Sequence, residues 1–168
     1  LEGNDLVAIK RDEKGFDPKA FKPFRRRMTV VQQDSRFSFF PDLTIGQSFK
    51  QIAAAGSGGT LDELAANLEK VGLTRAHLDS YPQSLSSGEM KRMDIARALT
   101  AKPDILLLDE PFAHIDFETR LHVMQAISDY LAEHATILVV VTHEDFDLRY
   151  FVEKSFDFPE LVGQYKKD

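Results

Sequence analysis

Cysteine is absent from this sequence of 168 residues, and no repeat or low-complexity tract interrupts it. The lack of cysteine excludes a scaffold that depends on disulfide bonds. The sequence also has no apolar run near the roughly twenty residues that an α-helix needs to cross a bilayer. We therefore expect any association with a membrane to occur through a partner protein.

Acidic residues outnumber basic residues in the sequence. Asp and Glu number 27 against 21 for Lys and Arg, which gives a formal net charge of −6 and a pI of about 5.4. This balance argues against a general nucleic-acid-binding protein. The basic cluster of Lys22, Arg25, Arg26 and Arg27 is local, and its simpler interpretation is a solvated face.

A phosphate-binding loop of the form Gly-x-x-x-x-Gly-Lys-[Ser/Thr] does not occur in the sequence. Residues 56–60 are rich in glycine, but they contain no lysine and follow three alanines rather than a strand. They are predicted to form a flexible surface turn within a helical region. With 43% hydrophobic residues, the chain is long enough to bury a single core.

The sequence does contain an apolar run that ends in two carboxylates. Residues 105–108 are predicted to form a buried strand of a parallel sheet, apolar on both faces, and Asp109 and Glu110 follow it. Ligands of open α/β sheets collect at the carboxyl ends of the strands. One carboxylate can therefore help to hold Mg²⁺ while the other orients or deprotonates a water molecule. A simple turn is the alternative interpretation of the pair taken alone.

A segment with serine and glycine precedes this strand. Ser86, Ser87 and Gly88 come directly before a predicted helix, residues 89–99, whose apolar side chains recur at helical spacing. Taken alone, such a segment is most simply a helix N-cap. The functional interpretation is that free amides and the positive end of the helix dipole face a phosphate.

The order of these motifs resembles the ATP-binding subunit of ATP-binding-cassette (ABC) transporters. Residues 85–89, Leu-Ser-Ser-Gly-Glu, resemble the signature motif of that family, usually Leu-Ser-Gly-Gly-Gln, and residues 105–110 resemble its Walker B strand. Gln33 takes the position of the Q-loop glutamine, and His143 takes that of the switch histidine. The stretches 33–46 and 77–82 are similar to the branch that imports oligopeptides, dipeptides and nickel.

The resemblance implies an α/β fold, a truncated form of the P-loop NTPase fold of ABC ATPases, with a parallel sheet core and an inserted helical subdomain. It assigns residues 1–33 and 103–168 to an incomplete ATPase core and residues 34–102 to the helical signature subdomain. In this family a phosphate loop precedes the Q-loop by several dozen residues. Because the sequence also starts at Leu1 without an initiator methionine, we expect a fragment whose first part lies outside it.

The resemblance also implies ATP and Mg²⁺ as cofactors and a role for each candidate residue. Asp109 and Gln33 would hold the metal, Glu110 would act on the attacking water, and His143 would contact the γ-phosphate. Gln33 would sense the nucleotide as well. Further contacts with nucleotide, and communication across a dimer, would come from five residues: Ser86, Ser87, Gly88, Glu89 and Asp116.

Two kinds of protein partner are implied by the same resemblance. A second ATP-binding subunit would pair head to tail with this one, so that each ATP lies between one phosphate loop and the other signature motif. Transmembrane permease subunits would hold the pair on the cytoplasmic side of the cell membrane, peripheral to its inner face. No nucleic acid partner is expected.

Several residues depart from the pattern of the family. Ser87 stands in place of a glycine, Glu89 in place of a glutamine, and Ala113 and His114 in place of a serine and an alanine. These departures leave open a degenerate cassette that has no ATPase activity of its own and completes the site of a partner. A soluble ABC ATPase outside transport is a further alternative, which the resemblance to the peptide branch disfavours.

Overall fold

A computed structural model describes residues 27–144 and 150–151 of the chain, except for the side chain of Ser57. Its centre is a parallel sheet of three strands, in the order β1 (Met28–Val31), β2 (Ile105–Asp109) and β3 (Ile137–Val141). Val31 pairs with Leu108, and Asp109 pairs with Val141. The carboxyl ends of the three strands therefore lie at one edge of the sheet.

Strand β2 is less buried than the sequence predicts. Leu106 and Leu108 are fully buried on one face, whereas Ile105 and Leu107 on the other face are partly exposed. On that second face, the side chains of β3 are 41–52% exposed: Ile137, Val139 and Val141. The prediction of a strand buried on both faces was wrong for the described part of the chain, because the core shared with the helices lies on the first face.

Among the described residues, four α-helices accompany the sheet: α1 (Ile45–Ile52), α2 (Leu61–Lys70), α3 (Ser87–Thr100) and α4 (Phe117–Glu133). A π-helical turn, Ala53–Ser57, follows α1. Three short 3₁₀ helices join the other elements: Ser35–Ser38, Arg75–Asp79 and Pro82–Ser84. Helix α3 begins two residues earlier than predicted, because Ser86 caps its first turn.

Helix α2 illustrates how local sequence sets these elements. Leu64 and Leu68 are one turn apart on its buried face. The Thr60 hydroxyl accepts a hydrogen bond from the Glu63 N–H at 3.2 Å, and the Glu63 carboxylate accepts one from the Thr60 N–H at 2.8 Å. This capping box starts the helix. Gly72, with φ of +72°, follows its end as the sequence predicts.

One glycine of residues 56–60 packs closely against helix α3. A Cβ atom at Gly59 would lie 2.7 Å from Cγ2 of Thr100 and 2.8 Å from its carbonyl oxygen. Gly59 also has a φ of +89°, which other residues rarely adopt. Residues 58–60 are exposed, as predicted for a surface turn, and Gly59 lies against the end of α3.

Helix α3 joins the helical region to the sheet. Ten of its 14 residues are buried, and it contacts both α2 and β1. Every regular element between residues 35 and 100 is helical, although the division of the chain into a core and a helical subdomain stays a prediction. No helix in residues 27–144 is long and apolar enough to cross a membrane.

The basic cluster falls mostly outside the described residues, which include only Arg27. Its guanidinium forms an ion pair with Asp104, and both side chains are about half exposed. This geometry agrees with the interpretation of Arg27 as part of a solvated face.

Candidate functional site

Glu110 and His143 meet at the carboxyl edge of the sheet. The Glu110 N–H donates to the Val141 carbonyl at 2.8 Å, beside the end of β3. One carboxylate oxygen of Glu110 lies 2.8 Å from Nδ1 of His143 and accepts from the backbone N–H of His143 at 3.1 Å. The structure thus joins two predicted site residues that are 33 positions apart in the sequence.

Glu110 is held in an uncommon backbone conformation. Its φ is +45°, in a region that costs L-residues about 1–2 kcal/mol. Its side chain is only 18% exposed, and the Thr142 hydroxyl lies 3.4 Å from its second carboxylate oxygen. Such strained positions cluster at active sites, where the surrounding structure fixes the direction of a side chain.

Asp109 and Gln33 lie at neighbouring strand ends. Asp109 is the last residue of β2, and Gln33 follows the end of β1, the adjacent strand, by two residues. Carboxylate and amide oxygens are suitable ligands for Mg²⁺, which usually takes one or two protein carboxylates and completes its shell with phosphate and water. The donor set therefore fits Mg²⁺ bound together with a nucleotide. Residues 27–144 and 150–151 contain no group of three His, Asp or Glu side chains that could hold a metal by itself.

Ser86 and Glu89 form a capping box at the start of α3. The Ser86 hydroxyl donates to the Glu89 carboxylate at 2.7 Å, and the Ser86 N–H donates to it at 2.9 Å. Both bonds lower the pKa of Glu89, and the bond from the backbone N–H has the larger effect. The His77 ring lies 3.9 Å from the other carboxylate oxygen. The acid that replaces the usual glutamine is therefore folded back onto the signature serine.

Ser86→Ala should raise the pKa of Glu89 part of the way to its ordinary value, because it removes the hydroxyl donor and leaves the backbone donor. NMR titration of the Glu89 side-chain carboxyl would measure the shift. Thr60→Ala is the matched control, since it disrupts the capping box of α2 and should leave Glu89 unchanged. An identical pKa of Glu89 in Ser86→Ala and in the parent protein would contradict the geometry.

Gly88 contacts the loop that follows β2. A Cβ atom at this position would lie 2.8 Å from the His114 carbonyl oxygen, which explains the need for glycine. His114 itself has a φ of +65°. Ser87, which stands in place of the other glycine of the motif, is exposed and meets no such restriction. The loop of residues 113–116 therefore packs against the start of α3.

Asp116 caps helix α4. Its carboxylate accepts a hydrogen bond from the Thr119 N–H at 3.0 Å, and this bond lowers the pKa of Asp116. The cap explains why α4 starts at Phe117 rather than near Leu121, where its apolar periodicity begins. A role for Asp116 across a dimer stays a prediction.

Three residues near the site were missed by the sequence analysis. Thr142 lies beside Glu110, and Lys91 and Asp94 are buried on α3. The available signal was a series of charged residues three positions apart within an otherwise apolar helix, at Lys91, Asp94 and Arg97. Helical spacing alone gives no reason to expect all three to be buried, because charges usually face solvent.

The ABC transporter family matches residues 4–113 of the chain. A probable peptide ABC transporter ATP-binding protein of Sinorhizobium fredii is 30% identical over 148 residues, which are 86% of this chain and 40% of that protein. A nickel import ATP-binding protein of Pseudomonas putida is 29% identical over 156 residues, 90% of this chain and 55% of that protein. The chain thus spans about half the length of the curated relatives it matches.

Solved structures with a similar fold belong to the same family. A dimeric ATP-binding cassette in a post-hydrolysis state, bound to ADP and Pi, superposes with a TM-score of 0.70 at 27% identity, over 80% of this chain and 60% of that one. A second structure of the same cassette, described as a dimeric bacterial ABC transporter cassette, gives a TM-score of 0.69 with the same identity and coverage. The sheet and helices are therefore part of the P-loop NTPase fold of ABC ATPases, as predicted. Since the family match covers most of the chain, this protein belongs to the ABC transporter family.

Proposed function

We propose that the chain is part of an ATP-binding and ATP-hydrolysing subunit that energises an ABC transporter. The observation that carries the proposal is the 2.8 Å contact between Glu110 and His143 at the carboxyl edge of the sheet. A carboxylate and an imidazole held together at this edge can act on a water molecule and on a terminal phosphate, as ATP hydrolysis requires.

Glu110 is the proposed general base. Its direction is fixed by His143 before any nucleotide binds, which favours the productive geometry. A carboxylate only accepts hydrogen bonds, so Nδ1 of His143 carries a hydrogen in this contact. A second carboxylate, that of Glu144, lies 3.6 Å from Nε2 of His143.

Asp109 and Gln33 are proposed to hold Mg²⁺, which when bound neutralises charge on the phosphates. Asp109 is the last residue of β2, whereas Glu110 lies beyond the strand and its carboxylate is held by His143. The two carboxylates can therefore serve the metal and the water separately. The signature residues Ser86–Gly88 are proposed to face a nucleotide held by a second subunit.

A second ATP-binding subunit and transmembrane permease subunits are the proposed partners, at the cytoplasmic face of the membrane. The dimeric form of the similar cassette, seen in both of its structures, supports the first partner. A peptide or nickel-like substrate is the finer proposal, supported by the names of two relatives. Other relatives are named as ATP-binding proteins for the import of ferric iron or aliphatic sulfonates, so the names of the relatives do not single out one substrate class.

The natural gene product, assembled with its permease subunits, provides the test. We expect Mg²⁺-dependent release of phosphate from ATP, measured in proteoliposomes. A gene product that neither binds nor hydrolyses ATP would contradict the proposal. Binding without turnover would favour a degenerate cassette that completes a partner's site, the candidate that Ser87 and Glu89 support.

Ser87→Gly combined with Glu89→Gln should strengthen ATP-driven dimer formation by roughly twofold to fivefold, since exposed charge interactions contribute about 0.2–1 kcal/mol. The double variant removes a side chain and a negative charge from the proposed surroundings of the γ-phosphate. Glutamine also suits the third position of a capping box, so α3 should keep its start.

Size-exclusion chromatography with ATP, in a background without hydrolysis, would measure the dimer population of this variant. Glu63→Gln makes the same change at the third position of the capping box of α2 and is the control. A weaker dimer in the signature variant would show that Ser87 and Glu89 assist closure.

A further inference from the structure

Helix α3 presents three charged residues to the segment that carries Gln33. These residues, Lys91, Asp94 and Arg97, are 3%, 0% and 8% exposed. Charged side chains are rarely buried unless they are paired and hydrogen-bonded. Here the hydrogen-bond partners of the three residues lie within α3 itself and in residues 30–38, a segment that begins in β1 and continues past its end.

Lys91 holds the backbone at Gln33 directly. Its Nζ donates to the carbonyl oxygen of Gln32 at 2.7 Å and to that of Gln33 at 2.8 Å. Both carbonyls lie beyond the last residue of β1. The ammonium therefore supplies the hydrogen bonds that a neighbouring strand would otherwise donate to them. Burial lowers the pKa of Lys91, and the charges of Asp94 and Asp109 oppose that shift.

Asp94 and Arg97 hold the same segment on either side of Gln33. The Asp94 carboxylate accepts from the Ser38 hydroxyl at 2.8 Å and from Nε of Arg97 at 2.8 Å. Arg97 also donates to the Val30 carbonyl at 3.2 Å. Burial raises the pKa of Asp94, and the Arg97 guanidinium opposes the rise. Gln33 thus lies between two further points of attachment to α3.

We propose that Lys91 is a positioning residue that fixes Gln33 to α3, so that Gln33 and the signature residues Ser86–Gly88 move as one body. The inference rests on the proposed function, because that function gives Gln33 its part in metal and nucleotide binding. Lys91 acts through the backbone of Gln33. A network of buried, satisfied hydrogen bonds suits this role, since it rigidifies a segment in one arrangement.

A double-mutant cycle in the natural gene product tests whether Lys91 acts through Gln33. Lys91→Met keeps an unbranched apolar stem and removes the ammonium. We expect it to raise the apparent KM for Mg²⁺ in ATP hydrolysis by roughly tenfold or more, the scale of one charged hydrogen bond. Gln33→Ala should do the same, and the double variant should be no worse than Gln33→Ala. Additive effects would overturn the inference.

Lys102→Met is the matched control for this cycle. It breaks an exposed ion pair with Glu63 and lies away from Gln33, so the KM for Mg²⁺ should stay unchanged. An equal rise in this control would assign the effect of Lys91→Met to the general loss of a lysine and would overturn the inference.

Hydrogen exchange supplies a readout that needs no activity. In the nucleotide-free gene product, Lys91→Met should speed amide exchange in residues 32–39 by roughly 10- to 100-fold, while α2 is unchanged. Lys91→Gln, which is shorter and carries no charge, should act in the same direction and replaces Lys91→Met if that variant does not fold. Unchanged exchange in both would overturn the inference. A gene product without ATPase activity would refute the proposed function, and this exchange result would still decide the role of Lys91.

Discussion

Replacing Glu110 with glutamine is expected to reduce ATP turnover by about 10²–10⁴-fold, the usual contribution of a general base. Nucleotide binding should persist, because glutamine keeps the shape of the side chain and removes only its charge and basicity. The contact with His143 at 2.8 Å is the reason to place the base here rather than at Asp109. Steady-state phosphate release and retention of labelled nucleotide, measured together on the natural gene product, check the result.

Glu118→Gln is the matched control for this prediction. Glu118 is exposed in the first turn of α4, close in sequence to the site but outside the residues proposed to act on ATP. Turnover in this variant should equal that of the parent protein. Near-normal turnover in Glu110→Gln would show that Glu110 is not the general base.

Asp94→Leu is expected to destabilise the protein by about 3–5 kcal/mol, the usual cost of breaking a buried ion pair by removing one partner. Arg97 keeps its charge in any environment and would lose the carboxylate that accepts from its Nε at 2.8 Å. The Ser38 hydroxyl would lose its acceptor as well. Equilibrium unfolding in urea measures the change in the free energy of unfolding.

Two further variants separate the buried pair from a general effect of leucine. Asp94→Leu with Arg97→Met should recover most of the lost stability, because apolar residues often replace a buried ion pair without net cost. Asp62→Leu breaks the exposed pair with Arg75 and should change stability little. A double variant as unstable as Asp94→Leu would show that the lost charge pair is not the cause.

Local features of the fold could be predicted from the sequence because their causes lie within a few residues. The β-branched run of residues 137–141 is a strand with those bounds. Gly72 ends α2 because a left-handed residue is needed there. Helix α4 starts earlier than predicted, since the cap at Asp116 governs its first residue more than apolar periodicity does.

The sequence predicted which residues form the candidate site, and the structure showed how those residues are arranged. Strand and helix alternation predicts a parallel sheet, and a parallel sheet brings the carboxyl ends of β2 and β3 together. Glu110 and His143 therefore meet, as their positions after two strands suggest. Their chemical roles, and those of Gln33, Asp109 and Asp116, stay proposals.

By itself the sequence determined the family, the parallel order of strands and helices, and the residues at the strand ends. Only the tertiary structure decided that Lys91 holds Gln33, 58 positions away, and that Gly88 contacts His114. The physical reason is that helical spacing shows which residues share a face but not what that face meets. That choice depends on how α3 packs against the end of β1, and this packing is set by the whole core.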